Sequence, residues 1–438
     1  MIKKFLLLSV IISQLTISCT NDSGDTPDTS ADNLNDQIAN IIKQPYSNLT
    51  PAQQKVKLEA EANEMLLQMK KSETSGAIEA IQNLGNLLDV SSVDIFNGKN
   101  DNQIAEILNV SGVYGIYSWN NTKQIWVKTT STTELKFVFP AKKSQTINNA
   151  SLSSKAISSD IKVKIRDSYN WQSGTTINDE FYLPTSVDAI LTIDNVQAAT
   201  FATNAKYSNG KETPDDSSFK MALNDGYTFE ISGKKGDPNS AKSTFTFNGK
   251  NLVSFTSGST AKIDELLKDD ALVSYRGKAN GLVQIMDNFM IVADMDITGL
   301  ANDEAALEKT LVEPDYNSST YYSKINDYNK AYSEGEVLAK NKNTKLILVS
   351  KKDGTKIADV IQKSEKGYSY THHYEWNVSG KYWSWNSNTT GMTYQEYDEV
   401  LYLKFNDTTE VEMSVYFSTG FDALETKFEN FLKSFERH

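Results

Sequence analysis

From Gly112 onward the chain alternates apolar and polar residues in short runs, a period of two that fits only paired strands. Four residue pairs, Asn209-Gly210, Asp225-Gly226, Asn248-Gly249 and Asp353-Gly354, punctuate these runs. Such pairs favour positive φ, which tight hairpin turns require and most side chains resist. Between them lie FKMALN, YTFEIS, STFTFN and NLVSFT, each with one face to bury and one wetter face. Consecutive hairpins of this kind make an antiparallel meander. The stretch 282–298 (LVQIMDNFMIVADMDIT) is long enough for a buried helix, but Asp287-Asn288 at its centre and its β-branched residues predict a hairpin.

Helical periods flank and interrupt the strands. Thr50-Pro51 with Gln53 forms an N-cap, a proline in the first turn and a capping-box partner. Leu58, Ala62, Met65, Leu66 and Met69 follow on one face, then Ala77, Ile81, Leu84 and Leu88 on a second helix. Ile104, Ile107 and Leu108 suggest a short third piece. Ala301–Leu311 and Tyr321–Asn341 predict further helices, with Glu336 placed four residues before Lys340. Phe421, Leu424, Phe428, Phe431 and Phe435 form the apolar stripe of a last helix. The expected fold class is α+β: a large antiparallel meander sheet with N-terminal helices, a middle helical insert and a C-terminal amphipathic helix.

The lone cysteine, Cys19, follows a basic Lys3-Lys4 start and the short apolar run Phe5–Leu15. That order of parts is a secretory signal. A membrane-spanning anchor needs about 20 apolar residues, and Ser9, Ser13 and Gln14 interrupt this shorter run. With Ser18 directly before the thiol, the segment predicts cleavage before Cys19 and lipid on its sulfur. The usual lipobox leucine three places upstream is Thr16 here, with Leu15 one step early. An ordinary signal with an incidental cysteine is the alternative. Lipidation would leave no thiol for a disulfide, so the body must rely on burial.

Asp22, Asp25, Asp28 and Asp32 then mark an acidic tether without a basic residue. The divisions that follow are a signal over 1–18, a tether over 19–33, a helical segment over 34–110 and a β meander over 111–300. A helical segment over 301–342, and strands with a final helix over 343–438, complete the chain. The formal charge is −12, a field unsuited to nucleic acid.

Reactive machinery is hard to assemble from these residues. The histidines are His372, His373 and His438. Adjacent strand residues point to opposite faces, so His372 and His373 cannot chelate one metal together. No G-x-S-x-G elbow, phosphate-binding glycine loop or zinc spacing occurs. The paired acids Asp179-Glu180, Asp215-Asp216, Asp269-Asp270 and Asp303-Glu304 read as hydrated loop residues rather than carboxylates facing across a glycosidic bond. The run Asn97–Asn102 has oxygen ligands without EF-hand spacing. No catalytic residue, metal ligand or cofactor is therefore assigned.

The segment between Tyr368 and Tyr402 is rich in rings, among them Tyr374, Trp376, Trp383 and Trp385. Trp383 and Trp385, two apart, share a strand face, while Tyr382 takes the other. Aromatic platforms stack on sugars or apolar ligands, and aromatics also pack as ordinary core, so both readings stand. Tyr374, Trp376, Trp383 and Trp385 are the candidate ligand-binding residues. A smaller group, Tyr114, Tyr117, Trp119 and Trp126, flanks Asn120-Asn121.

The signal, Cys19, the acidic tether and the asparagine- and lysine-rich β body resemble outer-membrane lipoproteins of Bacteroidota type. The specific likeness covers about the first 20 residues, the span of a targeting signal. It implies an outer-membrane protein held by acyl chains on Cys19, on the periplasmic or the cell-surface face. Curved sheets in lipid-carrier lipoproteins form a trough that helices cover, an analogy at fold level. The expected function is non-enzymatic binding of a ligand, apolar or glycan, or of a partner through the sheet. An envelope hydrolase acting on glycans and a purely structural assembly component are the alternatives.

Overall fold

A computed structural model describes residues 31–95, 104–269 and 271–417. Cys19, most of the acidic tether, the Asn97–Asn102 run and the Phe421–Phe435 stripe lie outside the described residues.

The helices are α1 (Ala31–Ile42), α2 (Pro51–Lys70), α3 (Gly76–Val90), α4 (Ile104–Ile107), α5 (Ile263–Leu266), α6 (Ile297–Thr310), α7 (Tyr321–Asn343) and α8 (Met413–Tyr416). The first strands are β1 (Gly115–Asn120), β2 (Ile125–Thr129), β3 (Leu135–Phe139), β4 (Ala150–Asn170), β5 (Thr175–Ile193) and β6 (Val196–Lys206). Next come β7 (Asp216–Leu223), β8 (Tyr227–Lys234), β9 (Asn239–Phe247), β10 (Lys250–Ser259), β11 (Lys278–Ile285) and β12 (Phe289–Asp296). The last are β13 (Thr344–Ser350), β14 (Thr355–His372), β15 (Tyr374–Asn377), β16 (Tyr382–Trp385), β17 (Met392–Lys404) and β18 (Glu410–Glu412).

Sixteen strands form one sheet in the order β18-β17-β14-β13-β12-β11-β10-β9-β8-β7-β6-β5-β4-β3-β1-β2, and β15-β16 form a separate hairpin. From β3 to β14 each strand pairs antiparallel with the next in sequence, so the fold is the expected α+β meander. The β1–β3 pair is parallel.

Local chemistry explains the helix starts. Thr50 Oγ1 accepts the Gln53 N–H at 3.3 Å, and Gln53 Oε1 accepts the Thr50 N–H at 2.9 Å, closing the capping box of α2. Ser75 caps α3 by accepting the Ile78 N–H at 3.3 Å. The stripes read from the sequence are the buried faces: Leu58, Ala62, Met65, Leu66 and Met69 on α2, and Ala77, Ile81, Leu84 and Leu88 on α3.

These two helices fill the inner face of the sheet. One apolar cluster joins them to Phe137, Phe139, Leu191, Tyr227, Phe289 and Leu403, contributed by strands from β3 to β17. Tyr227 is buried and its hydroxyl donates to the Gln68 carbonyl, locking the end of α2 onto β8. The opposite face carries a smaller cluster. There Leu34 and Ile38 of α1 pack on Met290, Val292, Ile347 and Val349, the residues between those that point inward.

Hairpin chemistry matches expectation in part. Asn248 (φ 49°) and Gly249 (φ 75°) make the tight β9–β10 turn, and the stretch 282–298 folds mainly as the β11–β12 hairpin. Asn209-Gly210 instead sits within the longer connection 207–215. The β5–β6 turn is Asp194-Asn195, both at positive φ without a glycine, because these side chains tolerate the left-handed region.

Gly226 (φ 100°) has no room for a side chain, since a Cβ there would lie 2.1 Å from Asn248 Oδ1. Gly210 (φ 67°) has nothing within 4 Å. Gly226→Ala is therefore expected to lower unfolding free energy by ~1–3 kcal/mol and Gly210→Ala by less, measured by urea denaturation of the two variants side by side.

Candidate functional site

Antiparallel order gives the meander two unlike rims. At one, strands from β5 to β14 are joined by two to four residues: 194–195, 224–226, 248–249, 286–288 and 351–354. The other rim carries the long excursions, 207–215, 260–277 and 297–343. Two ribbons also extend from it. β3 pairs only with Ala150–Ser154 of β4, and β6 only with Ser186–Ile193 of β5, so 161–182 continues as a two-stranded first arm, bridged at its base by Ser111 to Tyr182. β13 stops pairing with β14 at Val360, while β14 and β17 remain paired to His372 and Met392, forming a second arm.

Side chains link these excursions around the rim. Tyr207 donates to the Pro184 carbonyl at 3.1 Å, at the base of the first arm. Asp264 on α5 receives Lys211, and Lys235 at 2.9 Å. Hydrogen bonds from Lys211, then Lys235, hold the Asp264 carboxyl at about 2, below its ordinary value. Thr298 of α6 reaches the Gly277 N–H at 2.9 Å.

Helix α7 lies along the second arm and satisfies backbone groups that its ladder leaves free. Asn326 donates to the Thr393 carbonyl at 2.7 Å and accepts the Gln395 N–H at 2.8 Å. Asn341 makes the same two-way bond to Gln362, with both distances 2.9 Å. Each amide thus replaces the neighbouring strand that the arm lacks.

The β15–β16 hairpin tips this arm. Its register pairs Tyr374 with Trp385 and Trp376 with Trp383, placing all four candidate residues on one face. Trp376 and Trp383 meet edge to face with centroids 5.2 Å apart, as do Tyr374 and Trp385 at 5.9 Å. Tyr322, at the start of α7 and 8% exposed, seats this face. It meets Trp383 edge-on at 4.8 Å and stacks on Tyr374 at 5.7 Å. Trp383 Nε1 donates to the Ser318 carbonyl at 3.2 Å. Trp385 remains 63% exposed. Three rings are half-buried supports and the fourth is offered to solvent.

His372 packs between Tyr370 and Tyr374, and burial lowers its pKa, favouring the neutral ring. His373 lies against Trp385, its Nδ1 3.0 Å from the Thr389 carbonyl oxygen. Tyr117 and Trp119 of the smaller aromatic group are core, with Tyr117 stacked on Phe137 at 5.1 Å.

Several acids elsewhere are engaged. Glu180 binds Lys162, Asp215 lies 3.7 Å from Lys235, and Asp303 lies 2.8 Å from Lys342. Burial, then the charge of Glu336, raises the Glu304 pKa, while Glu336 is itself paired with Lys340 at 3.3 Å. Among the described residues no three histidine, cysteine or acidic side chains gather as a metal site, and no helix is long and apolar enough to cross a membrane. A groove of about 500 Å³ opens at the tight-turn rim between α2 and residues 286–288 and 352–353. Its Lys57 pairs with Asp353 and its Lys352 with Glu61, both at 2.8 Å, so much of its charge is internally matched.

Compared with protein-family models, curated proteins and solved structures, the chain matches none.

Sequence reasoning passed over Tyr169 and Trp171 at the tip of the first arm. Their signal was Asn170 and Ser173-Gly174 between two alternating runs. Asn170 Oδ1 accepts the Gln172 N–H at 2.9 Å and the Ser173 N–H at 3.2 Å, shaping a turn that leaves Trp171 88% exposed.

The Asp264 clasp has a defined pH response. Its folded pKa is depressed, so its contribution is present above about pH 4 and lost as pH falls through about 2. Amide hydrogen exchange in 207–238 is expected to quicken in that window relative to the sheet, and Asp264→Asn should remove most of the dependence.

Proposed function

We propose that the chain is a lipid-anchored envelope protein, non-enzymatic, that binds a ligand or partner through the aromatic tip of its second arm. The lipid on Cys19 would hold it at the outer membrane. The observation that carries the binding reading is Trp385, exposed on a face where Tyr374 and Trp383 are fixed by Tyr322 and Ser318 and Trp376 packs on Trp383. A ring held in place before contact loses little conformational freedom on binding, which favours capture of a sugar face or an apolar group. The inner face of the sheet is less suited to this role, since α2 and α3 already occupy it.

Two measurements test the reading. Palmitate labelling is expected in the wild type and absent in Cys19→Ala; label persisting in that variant would refute the anchor. In a screen of glycans and acyl chains, Trp385→Ala is expected to weaken capture roughly tenfold while leaving Tm unchanged. Trp383→Ala should lower Tm, because it removes the ring that packs on Tyr322 and Trp376 and the hydrogen bond to the Ser318 carbonyl. Equal binding by wild type and Trp385→Ala would exclude the platform.

A further inference from the structure

The start of α1 lies nearer one rim than the other. Leu34 of α1 lies beside Gly258, and Asn35 accepts a hydrogen bond from Asn280. Gly258 and Asn280 are paired near the end of β10 and the start of β11, close to the rim of long excursions. The helix then descends across Met290 and Val349, and the chain reaches Lys356 at the opposite rim, where Ser47 donates to its carbonyl at 2.8 Å. The chain therefore enters the described body on the side from which both arms extend.

The first arm ends in an unusual surface. Trp171 is 88% exposed and meets Tyr169 edge-on at 4.9 Å. Residues 169–178 (YNWQSGTTIN) contain no charged side chain. Placing this tip among lipid headgroups would strip no ion of its water, while indole and phenol rings favour that half-polar boundary. Lengths are compatible. The arm rises about 23 Å from Val163, which is still buried, to residue 170, at the rise of an extended strand. The stretch from Cys19 to Ala31 reaches ~40 Å when fully drawn out, so one bilayer can hold the lipid and meet the tip.

We propose that the rim of long excursions faces the lipid surface and that the Tyr169–Trp171 tip is a second membrane contact. This rests on the lipid anchor at Cys19 and adds the orientation of the body. A single apolar contact of this size is weak alone, but the tether keeps its local concentration high.

The test uses lipidated full-length protein in phosphatidylethanolamine/phosphatidylglycerol vesicles with brominated acyl chains. Bromine-dependent quenching of tryptophan emission is expected in the wild type and should fall at least twofold in Trp171→Ser, with Tm unchanged. The mass of the N-terminal peptide is read on the same sample. A peptide without lipid refutes the anchor and this orientation with it; a lipidated protein whose quenching is indifferent to Trp171 refutes the orientation alone. A photo-crosslinker at position 171 that captures one discrete protein in intact cells would also overturn the lipid assignment.

Discussion

The rest of the structure depends on the packing of α2 and α3 against the inner face of the sheet. Sixteen strands in an open ladder would otherwise expose a broad apolar surface, including Phe137, Phe139, Leu191, Phe289 and Leu403. Covering it draws strands from both halves of the chain into one core, because a single apolar cluster joins the helices to elements as distant in sequence as β3 and β17. The cap at Thr50 and the Tyr227 hydroxyl on Gln68 fix the helix at its two ends. The reverse face needs less cover and receives it from α1.

Antiparallel order then separates labour between the rims. Tight turns between β5 and β14 keep one rim short and well ordered, with little backbone to spare for recognition. Insertions collect at the other, where they are tied to each other by Tyr207, Asp264 and Thr298 rather than to the core. Such an arrangement lets the excursions vary while the ladder beneath them stays unchanged.

Much of this was legible in the residues. The Thr50-Pro51-Gln53 start, both buried helical stripes and the hairpin around 286–288 follow from spacing and turn chemistry alone. The sharing of one face by Trp383 and Trp385 follows from a period of two. Other features were hidden for physical reasons. Asn209-Gly210 has the turn signal but lies in a connection whose length is set by its neighbours. Asp194-Asn195 makes a tight turn without the glycine that usually marks one. Where the β4–β5 ribbon outruns β3 and β6 is a matter of pairing partners, which alternation within one strand does not encode. The role of Tyr322 depends on a contact between segments about fifty to sixty residues apart, beyond the reach of local pattern.

The asparagines of α7 have a consequence for how copies of this chain meet. A protruding ribbon is an open template, inviting a strand from a neighbour to continue its ladder. On the second arm Asn326 and Asn341 already occupy such positions, each presenting a donor and an acceptor as a peptide would. The helix therefore acts as a molecular selvedge, finishing the margins of the fabric so that the aromatic tip can be displayed without unravelling into fibrils.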